Sequence, residues 1–396
     1  MTESVQDPRP EIPRGEVEDQ RPDPPAPQRR TVLAAVAGFG VLGLVATVLG
    51  GDILNPPATT TDGDYAGETL SLLIPLAEGG GTDTWARFIG AEMTEHIPGQ
   101  PGFSPVNEAG GEGITGSNQF VTSAEPDGTE LLVSTATTVV PWLLEREAVH
   151  YSFDELEPVL VNGTGGVIYA RTDAGVQGVE DLVDRDTPLE FGGITATGLD
   201  ITTLIAFDLL DADVTATFGF EGRGPVNLAL QRGEIDLDYQ TTTSYESAVE
   251  GMVEDGDAVV LASFGQLNEA GEVVRDPNFP DVPTVAEAYE QLHGQAPSGP
   301  EFEAYKTVLG LTYTYQKGLW APKDTPPEAL ALLRESARKM AADTAFLEEA
   351  EEILGGYPLE SGDDVAAQVQ EAYTVSDDTV TYIRDLLQRS YDITVH

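Results

Sequence analysis

The chain of 396 residues contains no cysteine. That excludes disulfides, thiolate metal sites, a cysteine nucleophile and a lipid anchor on cysteine, so redox chemistry says nothing about its compartment. Cations are scarce too. Lys and Arg number 20 against 68 Asp and Glu, a formal net charge of −48, and the lysines are Lys306, Lys317, Lys323 and Lys339. A surface so negative repels phosphates over most of its area, which argues against a nucleic-acid partner. There is no D-x-D-x-D-G loop for calcium, and the carboxylate excess reads as adaptation to high salt, where screening makes a large net charge tolerable. G-x-S-x-G, H-E-x-x-H and a phosphate-loop lysine motif are all missing, and His96, His150, His293 and His396 stand in unrelated contexts. No cofactor and no metal site is expected.

Hydrophobic residues make up 40% of the chain, enough for globular cores in two domains of ordinary size. The first 30 residues are polar and proline-rich, and are expected to be disordered in the cytoplasm. An uncharged apolar run, 31–50, follows Arg29 and Arg30; it is long enough for one membrane span, and the basic flank puts its N-terminal end inside. With no clear small-residue cleavage site after it, an uncleaved anchor over 31–53 is the first reading and a signal peptide the second. The arginine pair also looks like a loose twin-arginine export signal. Residues 54–68 read as a tether.

The body is organised around 70–97, LSLLIPLAEGGGTDTWARFIGAEMTEHI. A short apolar run of the kind buried in a parallel sheet leads into Gly79, Gly80, Gly81, Thr82 and Asp83, and from Trp85 onward Phe88, Ile89, Met93 and Ile97 recur at helical spacing. Glycines let a ligand approach the main chain closely, and the helix that follows offers unpaired N–H groups and a positive dipole end. Such a place suits an anion. The alternative is a plain strand-to-helix turn with Thr82 or Asp83 as N-cap.

This stretch resembles the opening loop of the substrate-binding proteins of tripartite tricarboxylate transporters, the Bug receptors, whose pattern runs P-F-x-x-G-G-x-x-D-x-x-x-R. Pro75, Gly79, Gly80, Asp83 and Arg87 fall on it. Further matches follow in the family's order. Gly111, Gly113 and Gly116 spell G-x-G-x-x-G, but a dinucleotide site needs a strand directly before it, and the preceding loop is full of Pro and Gly. The same segment is similar to the family's N-x-x-G-A-x-G-x-x-G, a second loop facing the cleft. Residues 124–133 resemble its P-D-G-Y-T-L-L, a turn feeding a buried strand whose carboxyl end delivers Thr135 and Thr137 to a site or, equally, to the cap of the next helix. The match to P-Y-x-G-x-x-P-A-L-x-D-L-x-x-G-x-V-D over 217–236 contains Gly222, Gly224 and Pro225, and the one to D-V-P-T-x-x-E begins at Asp281.

Between these motifs the opening arrangement repeats. Residues 156–171 are strand-rich and read as the first crossing between lobes; 189–193 reads as a strand, 194–199 as a loop carrying Thr195, Thr197 and Gly198, and 201–210 as a helix. The strand end 236–243 brings Thr241, and 309–322 reads as the strand that returns to the first lobe. Two departures from the family stand out. Arg223 replaces a small residue, either to hold a substrate carboxylate in a bidentate grip or to pair with a surface acid. Glu78 adds a carboxylate to a loop usually kept neutral.

The resemblance implies an α/β protein of two lobes, periplasmic-binding-protein-like of type II, the venus flytrap arrangement, and the apolar run 31–50 adds an N-terminal transmembrane helix to that expectation. Lobe 1 is expected at 69–165 and 320–396, lobe 2 at 166–319. The implied function is an extracytoplasmic receptor that captures a small carboxylate and hands it to the integral permease of a tripartite tricarboxylate-type transporter, without covalent chemistry. A ligand-sensing ectodomain for a signalling partner is one alternative. A hydrolase using a carboxylate pair is another.

Overall fold

The computed structural model describes residues 64–395. The apolar run 31–50, with the expected cytoplasmic tail and most of the expected tether, lies outside them. Strand β1 (Thr69–Ile74) alternates exposed and buried positions as a strand with one core face must. It pairs in parallel with β2 (Gly102–Asn107) and β3 (Glu130–Ser134). Parallel neighbours need crossovers, which helices α1 (Gly81–His96) and α2 (Ile114–Ser123) supply. Helix α1 buries Trp85, Ala86, Ile89 and Met93 against Leu70, Leu72 and Ile74, the apolar stripe its sequence displays.

Helix α3 (Ala136–Leu143) follows β3, then strands β4 (Leu156–Asn162) and β5 (Gly166–Arg171). The segment 156–171 is thus two strands in two sheets, divided at residues 163–165. The second sheet adds β6 (Leu189–Gly193), helix α4 (Asp200–Leu209), β7 (Val214–Phe218), helix α5 (Arg223–Gln231), β8 (Leu237–Thr241) and β9 (Ala258–Ser263). Its order is β7-β6-β8-β5-β9. A short antiparallel ribbon, β10 (Gln266–Leu267) with β11 (Val273–Val274), precedes the helices Val285–His293 and Pro300–Leu309. The chain then rejoins the first sheet through β12 (Lys317–Pro322), and β13 (Leu359–Ser361) completes the order β13-β4-β12-β3-β1-β2.

The expected strand over 309–322 is only partly one. Leu309 ends a helix, Gly310–Thr314 continue it as a π turn, and extended structure starts at Lys317. Leu309, Leu311 and Tyr313 alternate with Gly310, Thr312 and Thr314 at a strand's period of two, and Leu309, Leu311, Thr312 and Tyr313 are all wholly buried, so the sequence here mimics a core strand.

The two crossings hold each other. The Thr164 N–H donates to the Tyr313 carbonyl at 2.8 Å, and a Cβ on Gly163 would stand 2.8 Å from the Thr314 carbonyl oxygen. Beside them the Tyr357 hydroxyl donates to buried Asp276 at 2.7 Å and lies 2.7 Å from the Thr242 hydroxyl. A Cβ on Gly165 would fall 1.8 Å from Asp276 Oδ2 and 1.9 Å from the Tyr357 oxygen, so only glycine fits there.

Candidate functional site

In open α/β sheets ligands gather beyond the carboxyl ends of strands. At the end of β1, Asp83 is buried in the first turn of α1, and its carboxylate accepts from the Gly79 N–H at 2.8 Å, Arg87 Nε at 2.9 Å and Asn107 Nδ2 at 2.9 Å. Arg87 closes the triangle by donating to Asn107 Oδ1 at 2.6 Å. Burial pushes the Asp83 carboxyl up, but the hydrogen bonds from Arg87, Gly79 and Asn107 outweigh it and hold the group at about 2. Asp83 therefore shapes the glycine loop, its carboxylate already engaged by three donors. Gly79, Gly80 and Gly81 are exposed, no side chain caps α1, and the amides of Gly81 and Thr82 have no intrahelical acceptor. Glu78 extends into solvent, 3.8 Å from Arg87.

The second sheet repeats the device. Asp200, in the first turn of α4, accepts from the N–H groups of Ile194 and, at 2.9 Å, Thr195, and from the Tyr239 hydroxyl at 2.9 Å. Each lobe thus folds a loop back onto an aspartate that opens a helix, and each aspartate carries an arginine.

In the second lobe that arginine is Arg223. Its guanidinium lies 2.7 Å from Asp238, 3.1 Å from Asp200 and 4.3 Å above the Tyr239 ring. Burial pushes the Asp238 carboxyl up to about 6 against the pull of Arg223, and pushes Asp200 up in the same way. Of the two readings of Arg223, a grip on a substrate carboxylate or a pair with an acid, the geometry shows the second, with buried acids in place of surface ones. Its charge is already matched twice by buried carboxylates, and it braces the floor of the site from behind.

Above that floor lies a cavity of about 180 Å³. Thr135, Ala136 and Thr137 bound it from the first lobe, with Thr135 as N-cap of α3; Ile194, Thr195, Gly198, Leu199, Asp200 and Tyr239 bound it from the second; Gln316 closes it at the second crossing. Of the residues expected at the site, the structure brings Thr135, Thr137, Thr195 and Gly198 together here. Thr197 joins through its hydroxyl, 3.0 Å from that of Thr195. Gly79, Gly80, Gly81, Thr82, Gly222 and Gly224 are not part of this lining, and no hydrogen bond joins the loop 79–83 to 222–224 among the described residues. Thr241 ends β8 opposite Gly166, with its hydroxyl 3.4 Å from that of Thr243, outside the cavity.

Gly111 and Gly113 flank Glu112, whose φ of 59° is left-handed. Gly113 packs tightly, since a Cβ there would come 2.7 Å from Thr138 Cγ2. Between them Glu112 ion-pairs with Arg146 and accepts from the Thr195 hydroxyl at 3.4 Å, so the loop reaches the other lobe through an acid and not through its glycines. Asp200, Tyr239, Gln316 and Glu112 were not singled out from the sequence. An aspartate in the first turn of the helix that follows a strand and loop, as Asp83 follows β1 and Asp200 follows β6, is the signal that finds Asp200; the other three carry none.

No family profile matches the chain. It is 25% identical over 304 residues, 74% of this chain and 81% of the relative, to a UPF0065 protein in the tcbD-tcbE intergenic region of Pseudomonas sp. (strain P51). It is 24% identical over 290 residues, 72% and 79% of the two chains, to protein BugT of Bordetella pertussis. Among solved structures it matches a TctC solute binding protein from Polaromonas with a TM-score of 0.61 at 18% identity, covering 82% of this chain and 99% of that one. It matches MatC from Rhodopseudomonas palustris, with bound malate, with a TM-score of 0.55 at 23% identity, covering 79% and 99%. The two-lobed periplasmic-binding-protein fold is therefore shared.

Proposed function

As the chain is a homologue of the UPF0065 and Bug proteins, we propose that it is an extracytoplasmic substrate-binding receptor that captures a small organic carboxylate between its lobes and delivers it to a tripartite tricarboxylate-type permease. One observation carries the reading: Thr135, Thr137 and Thr195 line one cavity from both lobes, and at the carboxyl end of β1 the first amides of α1 are unspent. A carboxylate on the amides of Gly81 and Thr82 gains charge-assisted hydrogen bonds and the favourable end of the α1 dipole. Closure of the lobes then removes water, which strengthens each of those contacts. The malate held by MatC, a neighbour in fold, supports the ligand class. No covalent step is needed, and we assign none.

The location follows from the same premise. The body lies outside the cytoplasm, extracellular or periplasmic, and the run 31–50 tethers it to the membrane as a single-pass anchor. We read the acidic coat as adaptation to high salt. Native mass spectrometry of the purified protein tests the receptor: a small acid released on unfolding, with the mass of an organic carboxylate, is the expected result. A protein that carries no acid and is stabilised by none of a panel of mono-, di- and tricarboxylates would overturn it.

A further inference from the structure

Gln316 lines the interlobe cavity, is 8% exposed, and its carboxamide makes no hydrogen bond among the described residues. Buried polar groups ordinarily find partners, and one left open toward a cavity is free to take one from a guest. An amide offers one acceptor and two donors, so it matches an uncharged group that both gives and accepts.

Charge argues in the same direction. None of the lining residues is a cation. Arg223 behind the wall is bound to Asp200 and Asp238, Arg146 to Glu112, and Arg87 to Asp83. A carboxylate entering this cavity would be desolvated beside the Asp200 carboxylate without a counterion of its own, which is costly. One free cation does stand nearby. Lys317, next to Gln316 in the chain, is half-buried, and its ammonium has neither an ion pair nor a hydrogen bond among the described residues. Burial lowers its pKa to about 8, which leaves most of it charged at neutral pH. It pairs with Asn162 in the sheet register and so shares a face with it, and Asn162 accepts from the Trp85 indole of α1 at 3.2 Å. The uncommitted charge is thus on the α1 side of the strand, and the uncommitted amide is in the cavity.

We propose that the ligand is a short monocarboxylate whose other end is an uncharged amide or hydroxyl, read in the cavity by Gln316, while its one carboxylate lies toward α1 and Lys317. This rests on the receptor reading above and narrows it to one charged end per ligand.

Calorimetric titration of the full chain in molar salt tests it with two series of probes, succinate, its monoamide and its diamide, and adipate with its own monoamide and diamide. The expected result is that a monoamide binds at least about tenfold more tightly than the diacid of the same length, and that the diamides do not bind. Gln316→Leu is expected to erase that preference by weakening the monoamide alone, with the ligand-free melting temperature unchanged. A diacid that binds as tightly as its monoamide, or a Gln316→Leu protein that keeps the preference, overturns the inference and leaves the receptor standing. A diamide that binds as well as the monoamide removes the need for a carboxylate and overturns both.

Discussion

The Thr195 hydroxyl donates to Glu112 Oε1 across 3.4 Å, from the second lobe to the first. Glu112 sits at a left-handed φ between two glycines and is held on its other oxygen by Arg146. Such a bond exists only while the lobes are close, so it biases the closed state. Glu112→Ala is expected to weaken ligand affinity by roughly two- to tenfold, the equivalent of about 0.5–1.5 kcal/mol for one hydrogen bond. Calorimetry reads the change, and an affinity equal to that of the parent would make the contact incidental to closure.

Arg223 yields a prediction about folding and not about binding. Its removal leaves Asp200 and Asp238 buried without their shared cation, and breaking a buried pair in this way costs about 3–5 kcal/mol. Arg223→Ala should therefore shift the denaturant midpoint strongly downward even without ligand. A midpoint within error of the parent would mean that the two carboxylates are protonated or hydrated in solution.

Asp83 gives a stability effect whose sign depends on pH. Its folded pKa, about 2, is below the ordinary 3.8, so its contribution is present above about pH 4 and is lost as pH falls toward 2. Asp238 runs the other way: with a folded pKa of about 6, its contribution is present below 3.8 and is lost as pH rises through 6. Asp83→Asn should thus cost roughly 1.5–3 kcal/mol at pH 7, the range for hydrogen bonds to a charged group. The gap to the parent should close below pH 4. A gap constant from pH 2 to 7 would show that the asparagine amide, not the lost charge, causes the loss.

The surplus of 68 acids over 20 bases predicts a salt requirement. Like charges repel across more than 10 Å in dilute buffer but are largely screened at molar ionic strength, where the Debye length is about 3 Å. The melting temperature should rise with sodium chloride throughout the molar range. A flat response would leave the acidic coat without this explanation.

Local devices were legible in the sequence, and distant pairings were not. The strand, glycine loop and helix at 70–97 announce themselves because period and punctuation are properties of neighbours in the chain. The same holds for β6, which spans Leu189–Gly193 as expected. Arg223 illustrates the limit: its substitution for a small residue was visible, but its partners lie 15 and 23 positions away and become neighbours only when β8 and α4 converge. Gln316 was hidden for a related reason, since nothing in its flanking residues tells a buried amide facing a cavity from an exposed one. Asp83 was legible as a motif position but not as a residue already engaged by Gly79, Arg87 and Asn107.

Two glycines separate the site from the scaffold. Gly165 is confined by Asp276 and Tyr357, so Gly165→Ala must displace their hydrogen bond and should destabilise the fold by about 1–3 kcal/mol, the usual cost of overpacking. Gly80 has an ordinary extended backbone, φ −80° and ψ 165°, and the nearest atom to a Cβ there is the Ala77 carbonyl oxygen at 3.8 Å. A β-branched side chain is therefore accommodated by the free protein, and Gly80→Val should leave stability within about 0.5 kcal/mol of the parent. It stands directly before the amides of Gly81 and Thr82, however, and fills the space through which a carboxylate must approach them. Gly80→Val should accordingly abolish ligand binding while the melting curve of the free protein stays put. If Gly80→Val bound the co-purified acid with parental affinity, the anion position would have to be moved away from the start of α1, toward the threonine hydroxyls of the cavity.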